Sequence, residues 1–519
     1  MKRDGDNLSI WQDNAAKYHP IHSGNWDQEK VYDVLIVGGG VTGLTTGVLL
    51  QRAGFKCLLA EAHTVGFGTS LGTTAHLNTL LDTTYPEIEQ KFGKESAQLV
   101  AQVTSRALLQ IEELSGRMEI DSQFLWKKAW LVAETESEQK ELQDIYEAHL
   151  RLGLPATPVF ECPVNLPMSS ACCFEKQGQI DAGAYISGLA EMFEELGGVI
   201  VEDCRVTRVK RESEVHLTET ERGVIKSARV VYATHIPPGV NQYSILCAPY
   251  RSYAIAFTLA EGAYPDGLIY DMKDPYNYFR TQRIKGQDYV IAGGFDHKTG
   301  HEANTDHIFT ELEAMVKGYF NVAEVVYRWS SQYYEPADGL PYIGRYPGRE
   351  ETYLATGFSG NGYTLGTVSA IVLLELISSG QSDYEQLFDP GRLKPIASAK
   401  NLITENVDVL KEFFSGLLKN QRIEFWSELA PGEGKIVEWE GESIAVYRAD
   451  NRELYAVDPV CPHMGCKVKW NSTEKSWDCP CHGSRFACDG TLLTGPATAG
   501  LRRYDIELTN REEQDAWTR

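Results

Sequence analysis

Apolar runs punctuated by glycine dominate the first sixty positions. Val31-Tyr32-Asp33-Val34-Leu35-Ile36-Val37 is rich in β-branched side chains and reads as a strand buried on both faces. Gly38-Gly39-Gly40-Val41-Thr42-Gly43 follows, then a helical stretch over residues 44–53 and a second strand over 55–60 that ends on Glu61. Farther along, residues 97–114 and 138–150 read as helices. Residues 253–259 and 276–280 alternate aromatic and apolar positions as antiparallel strands do. Residues 400–419 are mixed and predict a docking helix with a linker. Beyond 423, short runs at 435–439, 443–448 and 454–457 are separated by Pro-Gly, Glu-Gly and Asp-Asn turn signals, the pattern of a small β-sandwich.

Length and charge narrow this picture. A chain of 519 residues exceeds one ordinary core, so two or three domains are expected. The net charge of −23 argues against non-specific nucleic-acid binding and against anionic membrane surfaces. No run approaches the roughly 18 apolar residues of a membrane span, and the opening Met-Lys-Arg-Asp-Gly-Asp-Asn lacks the apolar stretch of a secretory signal. A cytoplasmic protein without a membrane span is expected. Cys57, Cys162, Cys172, Cys173, Cys204 and Cys247 are scattered and read as ordinary buried thiols, whereas the other cysteines crowd the last sixty residues.

Strand, G-x-G-x-x-G, helix and terminal acid together make a dinucleotide-binding turn. The glycines let the backbone approach a pyrophosphate, the helix N-terminus stabilises its charge, and Glu61 can accept from a ribose diol. Gly66-Phe67-Gly68-Thr69-Ser70 and Gly72-Thr73-Thr74-Ala75-His76 form a small, hydroxyl-rich segment suited to close approach by a flavin ring. Arg229-Val230-Val231-Tyr232-Ala233-Thr234, then residues 338–344 and 353–362, resemble in order the remaining FAD motifs of the D-amino-acid-oxidase-like (DAO) superfamily. A second strand-linked glycine fingerprint for NAD is missing, and Gly293-Gly294 is not one.

That resemblance covers about residues 30–400. It implies FAD contacts at Gly38, Gly40, Val41, Thr42, Gly43, Glu61, Ala62, Thr69, Ser70, Thr73, Thr74, Ala75, His76, Val206, Ala233, Thr234, Gly344, Gly357, Gly360, Asn361, Gly362, Tyr363 and Thr364. It also implies a substrate domain inserted into the FAD domain, assembled from about 86–160 and 240–330; residues 1–30, ahead of the first strand, are expected to form an N-terminal arm. Relatives that oxidise sarcosine or dimethylglycine bind FAD covalently through a histidine in the loop of His76; a non-covalent contact is the expectation here. Tyr276, Tyr278 and Arg280 are the catalytic candidates, with Tyr278 and Arg280 foremost, beside the bland alternative of a sheet surface. Amino-acid-oxidising relatives place a carboxylate-binding arginine where this chain has Gln332-Tyr333-Tyr334, which leans toward an amine substrate.

The C-terminal cysteines carry a second chemistry. Cys461-Pro462-His463-Met464-Gly465-Cys466 and Cys479-Pro480-Cys481-His482-Gly483-Ser484 are paired Cys/His half-sites of the kind a mixed-ligand [2Fe–2S] cluster requires. Zinc also accepts Cys and His at short spacings, but it does not account for Gly465, Ser484 or the second cysteine of each box. With Gly495-Pro496-Ala497, the motifs resemble the Rieske family. The resemblance implies Cys461, His463, Cys479 and His482 as ligands and a Cys466–Cys481 disulfide between the two loops. It also implies that Ser484 donates to a cluster sulfur, while Phe486 stands where high-potential members have a donating tyrosine. A potential below the respiratory members follows. His297, His301 and His307 lack the spacing of a mononuclear iron site.

The expected architecture is therefore an α/β FAD-binding domain of the glutathione-reductase Rossmann type with an inserted α+β substrate domain. It spans 31–400 and is followed by a linker over 401–422 and an all-β Rieske domain over 423–510. The expected function is an FAD-dependent oxidoreductase that acts on a small amine or amino-acid derivative. Electrons pass between FAD and one [2Fe–2S] cluster to an external acceptor, and a homo-oligomer is possible. A cluster-fed flavin reductase, or a redox sensor without its own substrate, are the alternatives.

Overall fold

In the computed structural model of the chain, residues 5–14, 18, 20, 24–302, 304–392, 421–422, 428–439 and 441–504 are described. The expected linker lies outside them apart from Gln421 and Arg422, and the expected arm is described in part, with Ile10 and Trp11 fully buried in the main core.

Val31–Val37 is a central strand of an eight-stranded sheet. Gly223–Tyr232 and Cys57–Ala60 flank it in parallel, and Thr352–Thr356 and Val199–Val201 extend the parallel ladder on either side. Helices cover one face of this sheet, and Ile236, Tyr243, Tyr334 and Tyr342 pack on the other, so its inner strands need apolar side chains on both faces, which explains their unbroken apolar runs. Val41–Arg52, Ala182–Glu195 and Gly362–Ser379 form that cover. Among the described residues Gly362–Ser379 is the one helix long and apolar enough to cross a membrane; it is 72% buried inside the protein, against Val41–Arg52 and Lys94–Ser115.

A nine-stranded sheet makes the substrate side, in the order Val322–Pro336, Cys247–Leu259, Gln287–Lys298, Tyr278–Ile284, Leu268–Asp271, Leu125–Ala133, Ser170–Gln179 and His76–Leu77, with Ala156–Val159 on Ser170–Gln179. The helices expected at 97–114 and 138–150 are Lys94–Ser115 and Glu136–Arg151. The sheet reaches beyond the two expected segments. Ser170–Gln179 pairs along Leu125–Ala133 and brings Cys172 and Phe174 into an apolar cluster with Leu131 and Tyr270. That pairing is a long-range event with no local sequence signal.

Two small antiparallel units follow. Gly434–Trp439, Glu442–Arg448 and Leu454–Val457 belong to a five-stranded sheet, and Lys469–Asn471, Ser476–Asp478, Arg485–Ala487 and Leu492–Thr494 form a four-stranded one. Between them Trp470 stacks on Tyr447 and meets Trp477 at a tilt of 58°. This unit packs directly on the substrate sheet. Gly483 has φ +76°, and a Cβ there would come within 2.5 Å of Pro249 Cβ; Gly300 meets Pro480 in the same way, at 3.0 Å.

Candidate active site and cluster site

The turn after Val31–Val37 is shaped for close backbone approach. Gly38 has φ 114°, and a Cβ on it would stand 2.4 Å from the Ala233 carbonyl oxygen. A Cβ on Gly43 would come within 2.0 Å of the Gly38 carbonyl oxygen, so only glycine lets the helix start there. The Val41 amide at the helix N-terminus donates to Ser70 Oγ at 2.9 Å. Glu61 accepts from the Gly39 amide at 2.7 Å and the His63 amide at 2.9 Å. Burial pushes its carboxyl up, and these amides oppose the shift.

The turn opens into a cavity of about 460 Å3. Gly38, Gly40, Val41, Thr42, Glu61, Ala62, Thr69, Ser70, Thr73, Thr74, His76, Val206, Ala233, Thr234, Gly360, Asn361, Gly362 and Tyr363 all line it. Five expected contacts stand behind this wall. Gly43 closes the helix turn, Ala75 holds φ 55°, and Gly344 and Gly357 pack on Pro390 and Pro336. Thr364 Oγ1 accepts from the Asn78 amide at 3.2 Å.

The far end of the cavity belongs to the substrate sheet. Tyr278 lines it and hydrogen-bonds Ser252 through its hydroxyl at 3.0 Å. Gly293 lies opposite in register, where a Cβ would come within 2.2 Å of the Tyr278 hydroxyl, so this glycine makes room for the ring, while Gly294 does the same for Asn277. Tyr276 donates to Asp82 at 3.0 Å. His76 Nδ1 pairs with the Tyr270 hydroxyl at 2.6 Å, its Nε2 is buried without a partner, and burial, with the Arg280 charge, holds it neutral well below the usual imidazole value.

Arg280, expected at the substrate, does not line the cavity. A buried guanidinium must be satisfied, and this one donates to the Ala75 and Ile180 carbonyls at 2.7 and 3.1 Å and to Gln282, over the Trp11 ring. It fixes the Ala75 turn that presents His76. Sequence reasoning passed over Asp82, Ser252 and Asp296, which carry no motif. It did single out Tyr333, through the missing arginine.

The two cysteine loops are near copies. In each, the glycine amide closes a turn on the first cysteine's carbonyl, Gly465 on Cys461 and Gly483 on Cys479, both at 3.0 Å and both with positive φ. Cys461 N donates to Cys466 O and Cys479 N to Ser484 O, both at 2.8 Å. Cys466 and Cys481 are joined in a disulfide, the pairing that the resemblance implied. The sulfurs of Cys466, Cys479 and Cys481 lie within 4.8 Å of one another, but two of the three are spent in that bond and cannot serve as thiolates.

The donor set left over fits a mixed-ligand cluster. The thiols of Cys461 and Cys479 touch, and this contact holds Cys461 below and Cys479 above the ordinary thiol value. His463 and His482 face each other with ring centroids 4.9 Å apart. Both ring nitrogens of His463 and Nδ1 of His482 are buried without a well-formed hydrogen bond. Burial lowers both imidazoles, His482 to about 4, so they stand neutral as ligation requires. His297, His301 and His307 are not gathered: His297 bonds Tyr253, His301 reaches the Pro480 carbonyl, and His307 faces Glu311 on a helix surface.

The two sites share walls. Leu493, Thr494, Gly495 and Ala497 of the C-terminal unit line the same cavity as the glycine turn. Gln332 also lines it, and its side-chain amide donates to Gly483 O at 2.9 Å. Tyr334 donates to the carbonyl of His482 at 3.3 Å.

Comparison with known proteins agrees with this architecture. The family model described as FAD dependent oxidoreductase (DAO) matches residues 33–376, and that of the Rieske [2Fe-2S] domain matches residues 420–505. The chain is 30% identical over 478 residues to the Rieske 2Fe-2S iron-sulfur protein YhfW of Bacillus subtilis, covering 92% of this chain and 94% of that one. It is 22% identical over 384 residues to gamma-glutamylputrescine oxidoreductase of Escherichia coli, covering 71% of this chain and 88% of the relative. The crystal structure of glycine oxidase from Geobacillus kaustophilus superposes with a TM-score of 0.59 at 21% identity, over 70% of this chain and 99% of that one, a likeness of fold.

Proposed function

The chain belongs to the FAD dependent oxidoreductase (DAO) family and carries a Rieske [2Fe-2S] domain toward its C-terminal end, and from that premise we propose that it dehydrogenates a small amine and sends the electrons through the Rieske domain to an external acceptor. It is an FAD-dependent oxidoreductase with FAD and a [2Fe–2S] cluster as cofactors. When bound, FAD supplies a hydride acceptor and the cluster a one-electron carrier.

The observation that carries this reading is the shared cavity, walled at once by the glycine turn, the aromatic strands of the substrate sheet and the Rieske loop at residues 493–497. Each group of residues then has a task. Gly38, Gly40 and the helix N-terminus at Val41 receive the pyrophosphate, and Glu61 the ribose. Tyr278, Tyr276 and His76 shape the substrate end and orient the substrate there. Cys461 and Cys479 would hold one iron of the cluster and His463 and His482 the other. Amine oxidation is favoured because the one arginine expected near the substrate is tied to backbone carbonyls, while Asp82 and Asp296 line the cavity.

Anaerobic addition of a panel of amines tests the reading. Bleaching of the flavin absorbance followed by bleaching of the cluster is expected. A flavin that no amine reduces, but that a chemically reduced cluster does, would reverse the direction of electron flow.

A further inference from the structure

On the substrate side of the cavity, the protein leaves a carboxylate half satisfied. Asp296 lies in Gln287–Lys298 and lines the cavity. Its Oδ2 accepts from the Tyr333 hydroxyl at 2.8 Å, whereas its Oδ1 is buried with no hydrogen-bond partner. Burying a carboxylate oxygen without a donor is costly, so the position is complete only when something positive or donating sits against it.

The protein supplies no cation there, and the one further hydroxyl beside the carboxyl, Ser252, is shared with the Tyr278 hydroxyl at 3.0 Å. Two cationic side chains line the cavity, and both are engaged elsewhere. Arg205 is bonded to His63 and to the Leu492 carbonyl, and Lys273 faces Glu134 at 3.9 Å. The groups that do face Asp296 are Ser252 and the hydroxyls of Tyr276, Tyr278 and Tyr333, with Asp82 beyond. Tyr276, Tyr278 and Tyr333 also line the cavity. Aromatic faces attract cations and suit the alkyl carbons beside one. Asp82 differs from Asp296, because both its oxygens are taken, one by the Tyr276 hydroxyl and the other by the Gly360 amide.

We propose that Asp296 selects the substrate, its free Oδ1 receiving a positively charged amine nitrogen whose alkyl carbons lie among Tyr276, Tyr278 and Tyr333. The proposal rests on the amine reading above and goes beyond it by naming the group that recognises the charge.

The test uses the FAD-loaded protein and two ligands of one shape. Protonated tert-butylamine has no hydrogen on the carbon beside nitrogen and cannot be oxidised; tert-butanol is its uncharged counterpart. Calorimetry and flavin difference spectra should show the ammonium binding wild type more tightly than the alcohol. Asp296→Asn keeps an acceptor for Tyr333 and removes the charge. It should weaken the ammonium about 10- to 100-fold, the scale of one charge-assisted hydrogen bond, and leave the alcohol unchanged. Asp82→Asn should weaken it far less. Equal binding of both ligands by wild type overturns the proposal without recourse to a variant. So does an Asp296→Asn protein that binds the ammonium as wild type does, or an equal loss in Asp82→Asn. Failure here leaves flavin and cluster bleaching by amines untouched. Failure of that bleaching with the ammonium still bound strikes the amine-oxidation reading instead.

Discussion

Ser484 is fully buried, its oxygen accepts from the Ala497 amide at 3.0 Å, and its hydroxyl lies beside the Cys461 thiol, which it helps hold below the usual thiol value. A donor at a cluster sulfur stabilises the more negative, reduced state. Ser484→Ala should therefore lower the reduction potential by on the order of 50 mV, read by redox titration, part of the worth of a hydrogen bond to a charged group in a one-electron couple. Phe486, buried in one apolar cluster with Cys461, Cys479 and the disulfide, is the complementary case. Phe486→Tyr should raise the potential, and a titration without an upward shift would count against the idea that this site lacks a donor. Asp296 adds a pH dependence. Burial raises its carboxyl to about 6, so it is neutral well below that pH and charged above it. Ammonium affinity should climb as pH rises through about 6 and then level off, whereas the folding stability tied to its protonated form is lost over the same rise. A flat binding profile from pH 5 to 8 would contradict the assignment.

At the scale of elements, Val322–Pro336 shows how one strand serves two sites. Side chains alternate across a strand. Tyr333 turns to Asp296 in the cavity, while Gln332 and Tyr334 turn to the Rieske loop and bond the carbonyls of Gly483 and His482. The sequence shows Gln332-Tyr333-Tyr334 as a missing arginine; the pairing with Cys247–Leu259 shows what replaces it. Tyr334→Phe removes the hydroxyl that also reaches Gly495 O at 3.3 Å. About 1 kcal/mol should be lost from the dock, seen as faster amide exchange in the Rieske loops with the parallel sheet unchanged. Unchanged exchange in those loops would mean that the hydroxyl contributes nothing to docking.

At the scale of the whole molecule, a buried charge network joins the Rieske unit to the substrate sheet. Arg251 and Glu474 are both 0% exposed and 3.9 Å apart, and Ser330 bonds both. Arg485 pairs with Asp478 at 3.0 Å within the same interior, where burial would raise the Asp478 carboxyl but Arg485 and Arg251 outweigh it and hold it low. Removing one partner of such a pair strands the other charge. Glu474→Ala should cost on the order of 3–5 kcal/mol, measured by thermal or denaturant unfolding of the full chain. An Ala variant as stable as wild type would show that the network does not secure the dock.

Much of this protein is legible in short stretches of sequence, because some chemistry is local. The dinucleotide turn needs glycine within a few bonds of a strand and a helix, and each cysteine loop closes on itself through Gly465 or Gly483. Residues such as Arg280, Asp296 and Glu474 have no such local constraint. Their roles depend on which groups long-range strand pairing brings against them: carbonyls around Arg280, an unpaired oxygen at Asp296, an opposing charge at Glu474. Sequence alone determined the two cofactors, since their binding turns are built from neighbours in the chain. Only the tertiary structure decided that the two sites share a cavity wall, because that wall is made from segments hundreds of residues apart, and only burial and packing bring them together.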